Sequence, residues 1–295
     1  MAPATPTELR KQFRALLSRD RVTSPASVYD AASVRLAKAA GAELALLAGS
    51  TASAVVLGAP DLVTLTLTEF AEQCRRVARA GALPLIVDAD HGYGNALNVM
   101  RTVQELETAG VAAMTIEDTL LPAPYGGGSG KGAVSHEEYA DKLKAALYAR
   151  RDPNLVIAGR TGALTRGESI EETVEWVKIC DAAGVDLIMI QGISTLDQLK
   201  ALNAATKLPF ILNTQPATKE EVHQYGGRIV FQGHLSYFNM LRALHETYVE
   251  QFSTGSTAGL RKGVLSPELQ AIALQETEHE AWMNQFMGGP AGGRH

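Results

Sequence analysis

The sequence predicts an α/β fold, a (β/α)8 TIM-type barrel followed by a C-terminal helical extension. The length of 295 residues suits one large α/β domain. Eight short apolar runs alternate with segments of helical spacing, and an Ala-Gly junction recurs at three of the helix-to-strand connections. Strands that are apolar on both faces and alternate with helices form a buried parallel sheet. A doubly wound open sheet is the alternative.

The predicted strands follow one another at intervals of roughly 20–40 residues. They are Ala26–Tyr29, Leu44–Ala48, Leu85–Val87, Ala112–Ile116, Leu155–Ala158, Leu187–Ile190, Phe210–Leu212 and Ile229–Phe231. Between the third and fourth strands, an i, i+3 pattern predicts an amphipathic helix with Leu97, Met100, Val103 and Leu106 on its apolar face. The segments AAGAELALLAG (39–49), TAGVAAMTIED (108–118) and AAGVDLIMIQG (182–192) each place a Gly where a left-handed residue ends a helix.

The chain departs from this alternation after Gln251. The segment FSTGSTAG is typical of a flexible connection, and Ser266-Pro267 predicts the start of a helix. The last helices carry an apolar face made of Leu269, Ile272, Trp282, Met283 and Phe286. Because the barrel is complete by residue 250, we expect residues 1–250 to form the catalytic domain. The extension, residues 251–295, is expected to pack on a neighbouring subunit or on the barrel exterior, and we favour oligomerisation.

Composition excludes several classes of protein. The chain has 27 Lys+Arg against 32 Asp+Glu, a net charge of −5 and no basic block, which argues against nucleic-acid binding. With 46% hydrophobic residues and a mean hydropathy of −0.02, it resembles an ordinary soluble globular protein. Cys74 and Cys180 are too few for a disulfide framework and are expected to be reduced. We find no targeting segment or membrane span, so we expect a cytoplasmic protein.

Function in such a barrel lies at the carboxyl ends of the strands. Asp88 and Asp90 follow the third predicted strand and Glu117 follows the fourth, so three carboxylates are expected at one edge. Their mutual repulsion favours a bound cation, and an all-oxygen set suits Mg²⁺. By itself, the Asp-x-Asp pair is equally typical of a helix cap or a solvated turn.

Other polar residues follow neighbouring strands. Arg160 is expected to bind a substrate carboxylate, or to form an ion pair that balances the acidic cluster. Gly49 and Ser50 offer a backbone amide and a hydroxyl, and Asp61 lies in the loop that follows. His91 is interpreted first as a hydrogen-bond partner of the carboxylates and second as a proton donor.

The loop after Asp118 contains GGGSGKG at 126–132. It is not a phosphate-binding loop, because Tyr125 stands where the first Gly is required and Gly132 follows Lys131 where Ser or Thr is required. We expect a lid over the metal; an insertion without function is the alternative.

These motifs resemble those of the isocitrate lyase/phosphoenolpyruvate mutase superfamily over most of residues 8–250. The matching segments are AGS at 48–50, APD at 59–61, DADHGYGN at 88–95, IED at 116–118, RT at 160–161 and GH at 233–234. Within the superfamily, HGYGN in place of TGYGN resembles the oxaloacetate decarboxylase group most.

The resemblance implies decarboxylation of oxaloacetate, or of a related α-keto dicarboxylate, to pyruvate and CO₂. It implies Mg²⁺, with Mn²⁺ possible, and a homotetramer whose C-terminal helices are exchanged between subunits. It assigns the metal to Asp88, with Asp90 and Glu117 acting through water. The candidate substrate-binding residues are Gly49, Ser50, Tyr29, Arg160 and His234, and the candidate catalytic residues are Arg160, His234 and Asp61.

Two positions depart from the family pattern. Gly162 stands where Asn or Asp usually follows Arg-Thr, and Asn213-Thr214 replaces an expected Thr-Tyr pair. The Lys-Lys-Cys-Gly-His lid of the carbon–carbon lyases and the lid of the phosphonate enzymes are both absent from the sequence. A lyase or phosphonate-processing enzyme acting on a branched 2-hydroxy or phosphono acid is nevertheless the alternative function. A barrel that only binds a dicarboxylate is a third possibility.

Overall fold

The protein is built around eight parallel strands that neighbour one another in the order of the chain. The computed structural model describes residues 4–123, 125–126, 132–256 and 258–288. The strands are β1 Ala26–Ser27, β2 Ala45–Leu47, β3 Leu85–Asp88, β4 Ala113–Glu117, β5 Val156–Thr161, β6 Leu187–Ile190, β7 Phe210–Leu212 and β8 Gly227–Val230. All eight predicted strands are confirmed; β6 and β7 have the predicted bounds, and the ends of the others differ by at most three residues.

The sheet closes into a barrel where β8 pairs with the residues that precede β1. The Thr23 amide donates to the Arg228 carbonyl at 2.9 Å, and the Val230 amide donates to the Thr23 carbonyl at 3.0 Å. This parallel pairing, centred on Thr23 and Ile229, joins the first and last strands. The predicted barrel is therefore confirmed, and the open sheet is excluded.

Helices surround the barrel, and most of them begin at a residue whose side chain caps the first turn. They are α1 Pro6–Leu17, α2 Ala31–Ala39, α3 Gly49–Leu57, α4 Leu67–Ala78, α5 Ala96–Thr108, α6 His136–Ala149, α7 Ala163–Arg166, α8 Ile170–Ala183, α9 Leu196–Ala205, α10 Lys219–Gln224, α11 Leu235–Thr254, α12 Pro267–Leu274 and α13 Glu276–Phe286, with a 3₁₀ helix at Gly259–Gly263. Thr66, Ser169, Thr195 and Thr218 each form a reciprocal capping box with the third helical residue. No helix in these described ranges has the length and apolar character needed to cross a bilayer.

Two apolar layers hold the barrel together. Alternate strand residues, among them Leu46, Ile86 and Met189, point inward and pack with Phe13 and Leu16 of α1. The opposite strand faces pack against the helices in a larger cluster. The interior is therefore filled with side chains, which leaves the carboxyl ends of the strands as the place for a site.

The helix predicted around residue 100 exists, but its apolar face differs from the prediction. Leu97 is 74% exposed, whereas Val99, Val103 and Leu106 are fully buried. The helix begins after Asn95, which caps it, so Leu97 lies in the first turn. The Ala-Gly junctions are confirmed, since Gly41, Gly110 and Gly184 have φ values of 92°, 93° and 86°.

The C-terminal segment differs from the prediction at its start. α11 continues to Thr254, whose hydroxyl donates to the Glu250 carbonyl at 2.7 Å, so residues 252–254 are helical. The predicted helix start at Ser266-Pro267 is confirmed. α12 packs on α2, where Arg35 Nη1 donates to the Ala273 carbonyl at 2.9 Å.

Candidate active site

Three strands bring the predicted acidic cluster and its arginine together. β3, β4 and β5 are neighbours, and Glu117 pairs in register with Arg160. Arg160 Nη1 donates to Asp88 Oδ2, and Arg160 Nη2 lies 2.8 Å from Glu117 Oε2. All three side chains are largely buried. Of the two roles predicted for Arg160, the structure contains the ion pair with the acidic cluster.

Asp88 is held in place through its second carboxylate oxygen. Thr115 Oγ1 donates to Asp88 Oδ1 at 3.0 Å, and the Asp90 amide donates to the same oxygen at 3.3 Å. Both Asp88 oxygens therefore accept hydrogen bonds, so the carboxylate orientation is fixed. Sequence reasoning missed Thr115 because it lies within a strand of otherwise apolar residues.

Asp90 occupies a left-handed backbone conformation with φ 47°. Its carbonyl accepts a hydrogen bond of 2.8 Å from the Glu117 amide, which ties this turn to the end of β4. A Cβ atom at position 49 would lie 2.9 Å from Asp90 Oδ1, so Gly49 is required for the close approach of α3 to this carboxylate. Asp90 thus lies between the start of α3 and the end of β4.

Burial and like charge raise the pKa of two carboxylates. The pKa of Asp90 is well above its usual value because of burial first, then Asp88 and Glu117. Burial also raises the pKa of Glu117, and Arg160 opposes that rise. One arginine therefore faces three carboxyl groups, and the site is short of positive charge.

The chemistry and charge of this donor set suit a hard divalent cation. It offers oxygen atoms alone, and its excess negative charge calls for a further cation. In the described ranges, no three acidic, histidine or cysteine side chains are already gathered closely enough to hold a metal. Arg160 occupies the space between Asp88 and Glu117 as the site now stands.

The other predicted mouth residues lie around this cluster. Gly49 and Ser50 begin α3. The N-cap residue of this helix is Ala48, whose side chain cannot accept a hydrogen bond from the first backbone amides of the helix. The Tyr29 ring contacts Tyr237 edge-on at 5.3 Å, and burial raises the pKa of Tyr29. Asp61 is electrostatically connected to the cluster, since its charge raises the pKa of Asp90.

His234 is the N-cap residue of α11 and follows β8. Its Nδ1 lies 2.8 Å from Ser27 Oγ. Burial lowers the pKa of His234, and the charges of Asp88 and Asp61 oppose that change. The lowered pKa favours the neutral imidazole, and the charges of Asp88 and Asp61 act on the ring. Ser27 was missed because a serine inside a predicted strand carries no signal of its own.

His91 does not have its predicted role. Within the described part of the chain, no hydrogen bond joins His91 to a carboxylate, and its buried Nδ1 has no partner. Burial, then the charge of Lys142, lowers the pKa of His91 to about 4. The interpretation as a hydrogen-bond partner of the carboxylates is therefore wrong, because the ring packs toward Tyr93, with 6.0 Å between ring centroids.

A buried network fixes the strand ends behind the cluster. Asp118 is fully buried and pairs with Arg166 through two hydrogen bonds of 2.9 Å. Thr161 Oγ1 donates to Asp118 at 2.6 Å, and the Gly162 amide does so at 3.2 Å. Because Asp118 follows Glu117 and Thr161 follows Arg160, the network holds both site residues. Arg166 lies on the short helix α7, and no sequence motif pointed to it.

The two departures from the family pattern have structural explanations. A Cβ atom at position 162 would lie 3.3 Å from Arg166 Nη1, so Gly162 leaves room for the ion pair with Asp118. Asn213 Oδ1 accepts from the Gly192 amide at 3.1 Å, and the Thr214 hydroxyl donates to the Ile193 carbonyl. Asn213 and Thr214 therefore connect the ends of β6 and β7.

The loop predicted to be a lid leaves and returns beside Asp118. The Leu120 amide donates to the Gly132 carbonyl at 2.7 Å, and the Val134 amide donates to the Asp118 carbonyl at 2.9 Å. Residues 124 and 127–131 lie outside the described residues, and with them most of the predicted lid at 126–132. The base of the loop is thus fixed next to the buried network.

Comparison with known proteins gives consistent results. The family model of phosphoenolpyruvate phosphomutase matches residues 13–252. An oxaloacetate decarboxylase of Bradyrhizobium diazoefficiens is 46% identical over 275 residues, covering 92% of this chain and 94% of that protein. The structure of oxaloacetate acetylhydrolase with the inhibitor 3,3-difluorooxalacetate has a TM-score of 0.84 at 29% identity, covering 98% of this chain and 100% of that one. Phosphonopyruvate hydrolase in complex with oxalate and Mg²⁺ has a TM-score of 0.85 at 25% identity, covering 96% of this chain and 100% of that one.

Proposed function

Because this chain belongs to the phosphoenolpyruvate phosphomutase family, we propose that it is a carboxy-lyase that converts oxaloacetate to pyruvate and CO₂ with a divalent metal ion. The observation that carries the proposal is the cluster of Asp88, Asp90 and Glu117 around Arg160 at the carboxyl ends of β3, β4 and β5. The similarity to an oxaloacetate decarboxylase over 92% of the chain supports this choice of reaction.

Asp88, Asp90 and Glu117 are the residues that would hold the metal, which we propose to be Mg²⁺, with Mn²⁺ as an alternative. When bound there, Mg²⁺ would supply a Lewis acid for the negative charge that develops in the reaction. A complex of the related phosphonopyruvate hydrolase contains Mg²⁺ and oxalate. Thr115 keeps Asp88 oriented for this role through the hydrogen bond to Oδ1.

A dicarboxylate substrate needs positively polarised groups at the mouth. We assign substrate binding to the first amides of α3 at Gly49 and Ser50, to the Ser50 hydroxyl and to Arg160. Tyr29 is a further candidate, since its ring lies beside Tyr237 near the end of β1. Asp61 remains a candidate catalytic residue, because its charge influences both Asp90 and His234.

The reaction itself breaks one carbon–carbon bond. The bond between C3 and C4 of oxaloacetate cleaves, C4 leaves as CO₂, and the electron pair forms the enolate of pyruvate. A proton added at C3 then completes pyruvate. Neutral His234 donates a hydrogen bond to the oxygen on which negative charge develops, which lowers the energy of the transition state.

The assembly belongs to the same proposal. α11 is exposed along nearly its whole length, with Tyr237 as its buried residue. Leu269, Ile272, Trp282, Met283 and Phe286 are between 40% and 73% exposed in the single chain. We propose that these helices pack on a neighbouring subunit in a homotetramer, so that residues 251–295 form an oligomerisation extension.

Product analysis tests the reaction. Oxaloacetate is incubated with the purified protein and Mg²⁺, and the products are identified by ¹³C NMR against a protein-free control that measures spontaneous decarboxylation. We expect pyruvate and CO₂ above the control rate. Formation of acetate and oxalate would instead indicate the hydrolase reaction named for a structural relative. Turnover of a branched 2-hydroxy or phosphono acid alone would favour the alternative lyase or phosphonate chemistry.

A further inference from the structure

The junction between β1 and β8 is held in two different ways along its length. Near the start of the strands, backbone hydrogen bonds through Thr23 close the barrel. Nearer the mouth, side chains make the connection. Ser27 Oγ lies 2.8 Å from His234 Nδ1, and Ser236 Oγ donates to the Ser27 carbonyl at 2.8 Å. Ser27 is therefore joined to the start of α11 by both its side chain and its backbone.

The direction of the bond between Ser27 and His234 and the tautomer of the imidazole determine each other. A serine hydroxyl has one proton to donate, and a neutral imidazole has one nitrogen that donates and one that accepts. If Ser27 donates to Nδ1, a single bond satisfies the hydroxyl proton and the Nδ1 lone pair together. If Nδ1 donates instead, the Ser27 hydroxyl accepts, and Nε2 carries a lone pair in place of a proton. The first arrangement places the imidazole proton on Nε2.

We propose that Ser27 is a positioning residue that holds the His234 ring and fixes its Nε2–H tautomer. The inference rests on the proposed function, in which His234 donates a hydrogen bond to the developing oxyanion. In the fixed tautomer Nε2 is the donor. In the other tautomer Nε2 would present a lone pair, which repels negative charge.

Ser236 provides a matched comparison within the same junction. Its hydroxyl also crosses from α11 to β1, but it contacts the Ser27 carbonyl and not the imidazole. Removing the Ser236 hydroxyl therefore weakens the junction while leaving the Nδ1 bond in place. Removing the Ser27 hydroxyl does the reverse. Ser27→Thr keeps the hydroxyl and, being β-branched, suits a strand.

The tautomer is measured directly by ¹⁵N NMR of the imidazole nitrogens in the full-length protein near pH 7. The His234 signals are assigned by their loss in His234→Gln. We expect a protonated Nε2 and an unprotonated, hydrogen-bonded Nδ1 in the parent, Ser27→Thr and Ser236→Ala proteins. Ser27→Ala should show a mixture of tautomers. A proton on Nδ1 in the parent protein, or an unchanged spectrum in Ser27→Ala, would overturn the proposal.

Kinetics with oxaloacetate and Mg²⁺ provide the second readout. Ser27→Ala should lower kcat about tenfold with little change in KM, since one oriented hydrogen bond is lost mainly in the transition state. Ser27→Thr should recover most of the rate, and Ser236→Ala should stay within about twofold of the parent. Equal losses in Ser27→Ala and Ser236→Ala would overturn the proposal, because they would show a purely structural junction. A parent protein without decarboxylase activity would instead contradict the proposed function, and the NMR result would still decide the tautomer.

Discussion

At the scale of single residues, the motif at 88–95 carries backbone strain where the acidic cluster needs it. Asp90 and Tyr93 have φ values of 47° and 61°, in the region that favours glycine. Such conformations cost on the order of 1 kcal/mol each and persist where the surrounding structure fixes them. The bond from the Glu117 amide to the Asp90 carbonyl is one such constraint. The strained turn places the Asp90 carboxylate beside α3.

The lowered pKa of His91 predicts that the free energy of unfolding depends on pH. Its pKa falls from 6.5 to about 4 in the folded protein, so between these values the unfolded chain binds a proton that the native state excludes. Stability should therefore fall as the pH falls from 6.5 to 4. His91→Asn removes this contribution, which is about 3 kcal/mol. Urea unfolding of both proteins at pH 7 and pH 4 measures it, and parallel losses of stability in the two would contradict the prediction.

The proposed role of His234 predicts that its replacement lowers kcat. His234→Ala should lower kcat by roughly 10²-fold, the loss that accompanies removal of one preorganised donor, with a smaller change in metal affinity. His234→Gln keeps a donor and should recover part of the rate. Steady-state kinetics with isothermal titration of Mg²⁺ separates the two quantities. Full activity in both variants would show that His234 is structural.

At the scale of elements, the ends of β4 and β5 depend on α7 and α8. Arg166 joins Asp118 to Glu168, and Trp176 of α8 donates to Glu168 Oε2 at 2.8 Å. The Arg166 guanidinium also lies 5.5 Å from the centre of the Trp176 ring. The network therefore connects the two helices to the strand ends that carry Glu117 and Arg160.

Arg166→Met should destabilise the protein by about 3 kcal/mol, since it leaves the buried carboxylate of Asp118 without its ion-pair partner. The control is Arg76→Met, which breaks the exposed ion pair with Glu72 on α4, outside the proposed subunit interface, and should cost less than about 0.5 kcal/mol. Chemical denaturation compares the variants. Equal, small effects would show that the Asp118 network contributes little to stability.

Sequence patterns predicted the strands and the rim carboxylates, but not the residues that hold them. Strand order follows from alternating elements, and the rim positions follow from where each apolar run ends. Thr115, Arg166 and Ser27 act through contacts between residues distant in sequence, which no local pattern contains. The exposure of Leu97 has the same origin, because i, i+3 spacing does not tell which face of a helix meets the barrel.

At the scale of the whole molecule, the C-terminal helices leave apolar side chains uncovered. On α11, Phe238, Tyr248 and Phe252 are 61%, 50% and 79% exposed, and on α13 Phe286 is 73% exposed. Large apolar side chains exposed in this number are typical of an interface between subunits. It agrees with the proposed homotetramer.

Deleting residues 266–295 should therefore produce a smaller assembly that exposes hydrophobic surface and aggregates. Light scattering coupled to size-exclusion chromatography measures the mass of the parent and truncated proteins. An unchanged oligomer mass after truncation would show that α12 and α13 do not form the interface.

The most direct test of the central claim is pyruvate release from oxaloacetate by the parent protein and by Asp88→Asn, each with Mg²⁺ and with EDTA. Protein-free rates are subtracted, and circular dichroism verifies that the variant is folded. We predict turnover by the parent with Mg²⁺, and background rates for the parent with EDTA and for Asp88→Asn under both conditions, because Asp88 is the metal ligand that we propose as the principal one. Equal rates with and without metal, or unchanged turnover by folded Asp88→Asn, would contradict the account.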